Sequence, residues 1–432
     1  MTEWSTDPAL AAELDAADPL AELRDRFELP PPPDGATDSI YFVGNSLGPM
    51  PKKARAYVVA ELDRWATLGV KGHFTGETGW ADYHRLVQPS MANVVGALHD
   101  EITVMNALSV NLHLLLISFY RPTSTRHKIL IEEHAFPSDH FAVESQIRQR
   151  GFDPATSLVT VAPRAGEELL HVDDITAAIE ACGDELATVL LPGVQYYTGQ
   201  VLPIAGIAAA AHGVGATVGI DLAHAVGNIE LSLHDDNVDF ATWCSYKYLN
   251  ASPGGVSGIF VHERHINDQS LPKLLGWWGT RRDTRFEMVN EFDAIPTAES
   301  WQISNGTALP MAALRAALEI VDEAGGMAPL RAKSRQLTGY LLYLITELLG
   351  DDVSSLTPDD PEARGCQLSL EIVPDDIDGK AVFDTIEAAG VFCDWRYPNV
   401  IRIAPAPMFN TFSEVRRFVD LLADAIANNR SS

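Results

Sequence analysis

Ala216-Thr-Val-Gly-Ile-Asp-Leu-Ala-His224 is followed in the chain by Asp239-Phe-Ala-Thr-Trp-Cys-Ser-Tyr-Lys247. Each segment opens with a short apolar and β-branched run, the pattern of a buried strand. The first run ends in Asp221, with His224 three residues on. The second leads into Lys247, followed by the small-residue stretch Ser252-Pro-Gly-Gly-Val-Ser-Gly258. Taken alone, a lysine is most often a solvated surface residue, and a strand-end aspartate is most often a cap or turn former. A lysine delivered by an apolar run is different, because it needs a partner or a task.

Further runs of the same kind lie at 129–132, 158–161, 187–191 and 258–262, alternating with helical periodicity at 110–119, 139–150, 172–181 and 204–212. Alternation of this kind predicts right-handed crossovers and an α/β fold with a mostly parallel, helix-covered sheet. Upstream, residues 52–68 carry apolar side chains at a helical spacing. The first 45 residues read as an N-terminal arm, with a short amphipathic segment and then Pro30-Pro-Pro-Pro33, which cannot be helix. Residues 46–305 then form a large domain. Residues 306–432 form a smaller α+β domain, with a long helical stretch at 310–324 and then 327–349, strands at 366–373 and 400–404, and helices at 379–389 and 412–428.

Composition narrows the function. The chain has 432 residues, 46% hydrophobic and 21% charged, and a formal net charge of −28. Nucleic acid and anionic membranes demand positive patches, so neither is an expected partner. An anionic small molecule would have to be drawn in by a local site. No apolar stretch reaches the roughly 18–20 residues of a membrane span. The N-terminus, Met1-Thr-Glu-Trp-Ser-Thr-Asp7, lacks the basic-then-apolar order of a secretory signal. The four cysteines show no metal-finger or C-x-x-C spacing and there is no H-E-x-x-H, so the expectation is a cytoplasmic protein with reduced thiols and no metal. Only 8 of the 31 basic residues are lysines. A GC-rich genome explains that bias; salt adaptation is the alternative.

Ligands of open α/β sheets bind beyond the carboxyl ends of the strands. Asp221 and Lys247 both fall at or just past such ends, so different strands bring them to one crevice. A carboxylate, an imidazole and a lysine there suit pyridoxal 5'-phosphate. The lysine forms a Schiff base with it, and the aspartate pairs with the pyridinium nitrogen so that the ring acts as an electron sink. Asn106-Ala-Leu-Ser-Val-Asn111 begins a helix, where free N–H groups and the Ser109 hydroxyl suit a phosphate. Arg402, on an otherwise apolar strand, needs an anion.

An ordered set of segments spans nearly the whole chain: Tyr41-Phe-Val-Gly-Asn-Ser-Leu-Gly48, Gly72-His-Phe74, Asn106-Ala-Leu-Ser-Val-Asn-Leu-His113, Phe136-Pro-Ser-Asp139, Val194-Gln-Tyr-Tyr-Thr-Gly-Gln200, Asp221-Leu-Ala-His224, Tyr246-Lys247, Gly276-Trp-Trp-Gly279, Ile303-Ser-Asn305 and Arg402. Together they resemble kynureninase, a fold-type-I pyridoxal-phosphate enzyme of the aminotransferase class V group.

The resemblance implies a seven-stranded type of large-domain sheet and a homodimer whose sites are shared between subunits. It implies hydrolytic Cβ–Cγ cleavage of L-kynurenine, or its 3-hydroxy form, to L-alanine and anthranilate or 3-hydroxyanthranilate, in tryptophan catabolism, NAD biosynthesis or secondary metabolism. Lys247, Tyr246 and Asp221 would be catalytic. Leu108, Ser109, Phe136, Pro137, Ser138, Asp139, His224, Trp277 and Asn305 would join them around the cofactor. His73, Asn305 and Arg402 would meet the substrate, Arg402 at its α-carboxylate. Ser109, Pro192 and Thr280 stand where the family often has threonine, serine and histidine. Two other readings remain at this stage: another class V activity such as cysteine desulfuration, which needs a reactive cysteine on a mobile loop, and a non-catalytic cofactor-binding protein.

Overall fold

Seven strands build the large sheet: β1 (Ile102–Val104), β2 (Lys128–Glu132), β3 (Leu158–Val161), β4 (Leu186–Pro192), β5 (Thr217–Asp221), β6 (Phe240–Cys244) and β7 (Ser257–Val261), in the order β1-β7-β6-β5-β4-β2-β3. The computed structural model describes residues 4–76 and 78–430. The start of the N-terminal arm, including the first residues read for a secretory signal, and the last two residues of the small domain lie outside the described residues.

Strands β2 to β6 run parallel, while β7 is antiparallel to both its neighbours. Strands covered on both faces read as unbroken apolar runs, and β6 is buried at all five positions. Side-chain alternation splits the core in two. Val189 and Leu191 face a cluster with Ile175, Ile179 and Ile207 from the helices Val172–Cys182 and Ile204–Gly213. Leu190, Ile129 and Ile131 face the opposite cluster, with Leu112 and Val143 from the helices Leu108–Phe119 and Pro137–Gln149. A single glycine permits the close approach of β5 to β6: a Cβ at Gly219 would stand 2.1 Å from the Phe240 ring.

The small domain packs a second sheet, β8 (Val353–Ser355), β9 (Leu368–Ile372), β10 (Asp394–Arg396) and β11 (Val400–Ile403), against helices Met327–Leu349, Gly379–Ala388 and Phe412–Asn428. Its order is β8-β9-β11-β10, antiparallel throughout. The change of core falls within Met327–Leu349, where Leu330 belongs to the large-domain cluster and Leu337 to the small one. The preceding helix, Ala308–Glu323, packs on Lys52–Leu68 and adds Met311, Leu314 and Leu318 to the large core.

The N-terminal segment is stitched into the small domain. Its helix Pro8–Ala17 is capped by Asp7. The Asp15 carboxylate in turn accepts from the N–H groups of Phe412 and Ser413, at 2.7 and 3.0 Å, capping the last helix. Lys333 and Asp18 form a buried pair at 2.7 Å. Ile40–Tyr41 pairs in parallel with Val391–Phe392, and Phe42 is fully buried, edge-on to Phe418. Phe42→Ala is expected to lower stability by about 3–5 kcal/mol. Val59→Ala, at an exposed helix position, should stay within about 0.5 kcal/mol. Guanidinium unfolding of both variants checks the contrast.

Candidate active site

The carboxyl edge of the large sheet carries Glu132, Pro192 and Asp221 as the last residues of β2, β4 and β5, with Lys247 three residues beyond β6. They line a cavity of about 340 Å³ together with Leu108 and Ser109 from a helix start and Phe136, Ser138 and Asp139 from the loop and helix after β2. Pro137 is the first residue of that helix and does not itself line the cavity. His224 and Tyr246 complete the large-domain wall. Asn45 and Ser46 close it from the N-terminal turn, and Arg396 and Arg402 from the small domain. The turn passes directly over the lysine segment. The Gly48 N–H donates to the Tyr246 carbonyl at 2.8 Å, and a Cβ on Gly48 would meet the Lys247 carbonyl oxygen at 2.5 Å.

The Lys247 Nζ lies 3.0 Å from His224 Nε2. Burial holds the His224 imidazole well below its usual pKa, and the nearby Lys247, Arg402 and Arg396 cations push the same way. His224 is therefore neutral, accepts from the Lys247 ammonium through Nε2 and carries its hydrogen on Nδ1. That Nδ1 is buried and has no partner among the described residues.

Three carboxyl groups share the opposite wall. Asp221 Oδ1 accepts from the Ala223 N–H at 2.7 Å. Burial, reinforced by Asp221 beside it, raises Asp139 well above the carboxylate range. Asp139 thus keeps its proton and shares it with Asp221. Burial lifts Glu132 to about 7, with Asp221 adding to the effect, and its side-chain partner is Gln195 Nε2 at 3.4 Å. The Tyr246 phenol is pushed up to about 12, first by burial and then by Cys244. It is a proton donor throughout the physiological range.

These residues fit pyridoxal phosphate. A lysine amine faces the cavity, a carboxylate stands at a strand end, and the buried Nδ1 of His224 lacks a partner. The helix Leu108–Phe119 begins without a side-chain cap, so its first N–H groups and the Ser109 hydroxyl suit a phosphate. Phe136, half exposed and edge-on to Tyr196 at 5.2 Å, offers an aromatic wall.

Arg402 is buried to 1% exposure. Its Nε donates to Asp394 Oδ1 at 2.7 Å, its Nη2 to Asp394 Oδ2 and its Nη1 to the Tyr196 carbonyl. The expected anion partner is thus partly supplied by the protein itself. His73, Trp277 and Asn305 do not line this cavity. His73 packs edge-on against Trp80 beside a second cavity of about 720 Å³. The half-exposed Trp277 donates through Nε1 to the Arg285 carbonyl, and Asn305 is exposed. Thr280 is likewise outside, donating to the Trp277 carbonyl at 2.7 Å. Sequence reasoning missed Glu132, Ser46, Asp394 and Arg396 as site residues. The alternation Asp394-Trp-Arg396 ahead of the strand bearing Arg402 places both charges on one face, but three residues are too short a run to mark a strand by themselves.

A family model described as the kynureninase C-terminal domain matches residues 330–422. A kynureninase of Xanthomonas campestris pv. campestris (strain B100) is 54% identical over 418 residues, covering 96% of this chain and 98% of the relative. A kynureninase of Xanthomonas oryzae pv. oryzae (strain PXO99A) is 54% identical over 411 residues, covering 95% and 96%. Among solved structures, a C-DES variant with glycine covalently linked to its PLP cofactor superposes with a TM-score of 0.75 at 18% identity, over 93% of this chain and 99% of that one. A cysteine desulfurase from Thermococcus onnurineus NA1 gives 0.69 at 17%, over 90% and 95%. At those identities the likeness establishes the fold alone.

The raised Glu132 pKa has a stability consequence. A carboxyl group whose folded pKa exceeds its unfolded one contributes stability below the unfolded value, near 4.5, and loses it as pH rises to about 7. Glu132→Gln should therefore match the unliganded wild type near pH 4.5 and exceed it by roughly 3 kcal/mol at pH 8. Urea unfolding of both proteins across that range tests this; parallel pH profiles would refute it.

Proposed function

The chain belongs to the kynureninase family, and we propose that Lys247, Asp221, Tyr246 and Arg402 are the groups with which it carries out the family's pyridoxal-phosphate-dependent hydrolysis of L-kynurenine or 3-hydroxy-L-kynurenine. Water adds across the Cβ–Cγ bond, giving L-alanine and anthranilate or 3-hydroxyanthranilate. The observation that carries the assignment is the convergence of the Lys247 amine, the Asp221 carboxylate and the Arg402 guanidinium on one cavity. Pyridoxal phosphate, when bound, supplies a ring that withdraws electrons from the substrate carbons next to it.

The chain's own groups do the rest. Lys247 would hold the cofactor through its amine, and the same amine would serve as base for the substrate α-proton. His224, held neutral, accepts a hydrogen bond from the lysine ammonium and does not compete as a cation. Asp221, with the protonated Asp139 beside it, would pair with the cofactor's ring nitrogen. Tyr246 keeps its phenolic proton and can deliver it to Cβ as alanine forms. Arg402 would hold the α-carboxylate, Ser109 and the Leu108 helix start would take the phosphate, and Phe136 would offer its face to the ring.

Cysteine desulfuration is disfavoured. All four cysteines are buried, and burial raises the Cys244 thiol beside the cavity, the opposite of what a persulfide-forming thiolate needs. A homodimer accounts for His73, Trp277 and Asn305, which a second copy would bring to the cavity. Exposed apolar side chains at Val70, Phe74, Leu274, Met288 and Val289 support an interface on that side. Among the described residues no helix is long and apolar enough to cross a membrane. Together with free thiols, that supports a cytoplasmic location.

Lys247→Ala should be colourless and release no anthranilate, as followed by visible absorbance and product fluorescence. His73→Ala should retain the cofactor colour but lose most activity. If sites are shared, co-expressing the two variants should restore about a quarter of wild-type activity, because half of the sites in each hybrid dimer regain a complete residue set. No recovery would exclude the shared site.

A further inference from the structure

The small-domain end of the cavity holds two guanidinium groups and one carboxylate. Asp394 and Arg402 are direct cross-strand partners on β10 and β11, and Arg396 lies two residues along β10 on the same face. Asp394 Oδ1 takes the Arg402 Nε–H at 2.7 Å. Oδ2 takes one Arg402 Nη2–H, the Arg396 Nη2–H at 3.3 Å and the Ser46 hydroxyl at 3.0 Å. The Tyr196 carbonyl takes one N–H of Arg402 Nη1. A guanidinium has five N–H donors. Three of Arg402's are occupied, leaving one on each terminal nitrogen for a substrate carboxylate. Arg396 Nε is buried without a partner among the described residues.

We propose that Asp394 is the positioning and selectivity residue of the carboxylate seat. It fixes Arg402 so that a single fork faces the substrate, and it cancels one of two guanidinium charges so that the seat admits one carboxylate and discriminates against a second. This rests on Arg402 as the holder of the substrate's α-carboxylate. With Asp394 present, this end of the cavity carries one net positive charge, which a single α-carboxylate neutralises. Without it, two uncompensated guanidiniums with freer orientation would attract dianions and hold a monocarboxylate less well.

The test uses the cofactor-loaded enzyme, with visible absorbance reporting loading, steady-state kinetics on kynurenine and inhibition by glutarate, a simple dicarboxylate. Asp394→Asn is expected to raise KM about tenfold with kcat within about threefold, and to tighten glutarate inhibition about tenfold. Asp394→Glu should recover most of the wild-type KM. The double variant Asp394→Asn/Arg396→Gln, which restores a single positive charge, should return glutarate inhibition to the wild-type level. A loaded Asp394→Asn enzyme with unchanged KM and glutarate inhibition overturns the proposal. Should Asp394→Asn fail to load, Arg396→Gln alone decides. Its seat carries no net charge, so KM must rise and glutarate inhibition weaken, and no change in either overturns the proposal. Arg402→Gln separates the two levels. An unaltered KM there removes the carboxylate reading itself, whereas a raised KM with an indifferent Asp394→Asn removes only the role of Asp394.

Discussion

A guanidinium buried as deeply as that of Arg402 cannot exist unpaired, because leaving such a charge without partners costs about 3–5 kcal/mol. Its partners come from two domains: Asp394 on the neighbouring small-domain strand and the Tyr196 carbonyl on a large-domain loop. The same loop is held by Gln367, whose Nε2 donates to the Tyr196 and Tyr197 carbonyls and whose Oε1 accepts from Asn45 in the N-terminal turn. Satisfying one buried charge therefore docks the small domain, orders the Tyr196 loop and closes the cavity. The anion seat and the domain interface have a single physical cause.

The opposite wall is organised by the reverse problem, too many acids in too little water. Glu132, Asp139 and Asp221 cannot all ionise at close range, so burial and mutual repulsion leave Asp139 protonated and Glu132 near its midpoint. Of the three, Asp221 alone accepts from a backbone donor, the Ala223 N–H. His224 is kept neutral first by its burial and then by the cations beside it. The cavity is thereby divided into an anionic end suited to a pyridinium and a cationic end suited to a carboxylate, with Lys247 between.

The sheet was readable from sequence wherever a strand was buried on both faces. The runs ending at Glu132, Asp221 and Cys244 emerge within a residue or two of their expected bounds. Strand β1 and the hairpin strand β10 escaped because three residues are too few to show a period of two. Lys247 and Asp221 were legible because polar chemistry at the end of an apolar run is costly without a purpose. Asp394 and Arg396 were not, since their meaning depends on pairing across a hairpin. Glu132 read only as the polar end of a strand; its raised pKa comes from neighbours distant in sequence. His73, Trp277 and Asn305 carry no local signal of function. The family resemblance singled them out, and they lie outside the cavity of their own chain.

The most direct test is to reduce the cofactor-loaded protein with borohydride, digest it and map the pyridoxyl-bearing peptide by mass spectrometry. With 8 lysines in the chain the result is discriminating. The account requires the label on Lys247, in the peptide that also contains Tyr246. A label on any other lysine, or a stoichiometric label surviving Lys247→Ala, would contradict it.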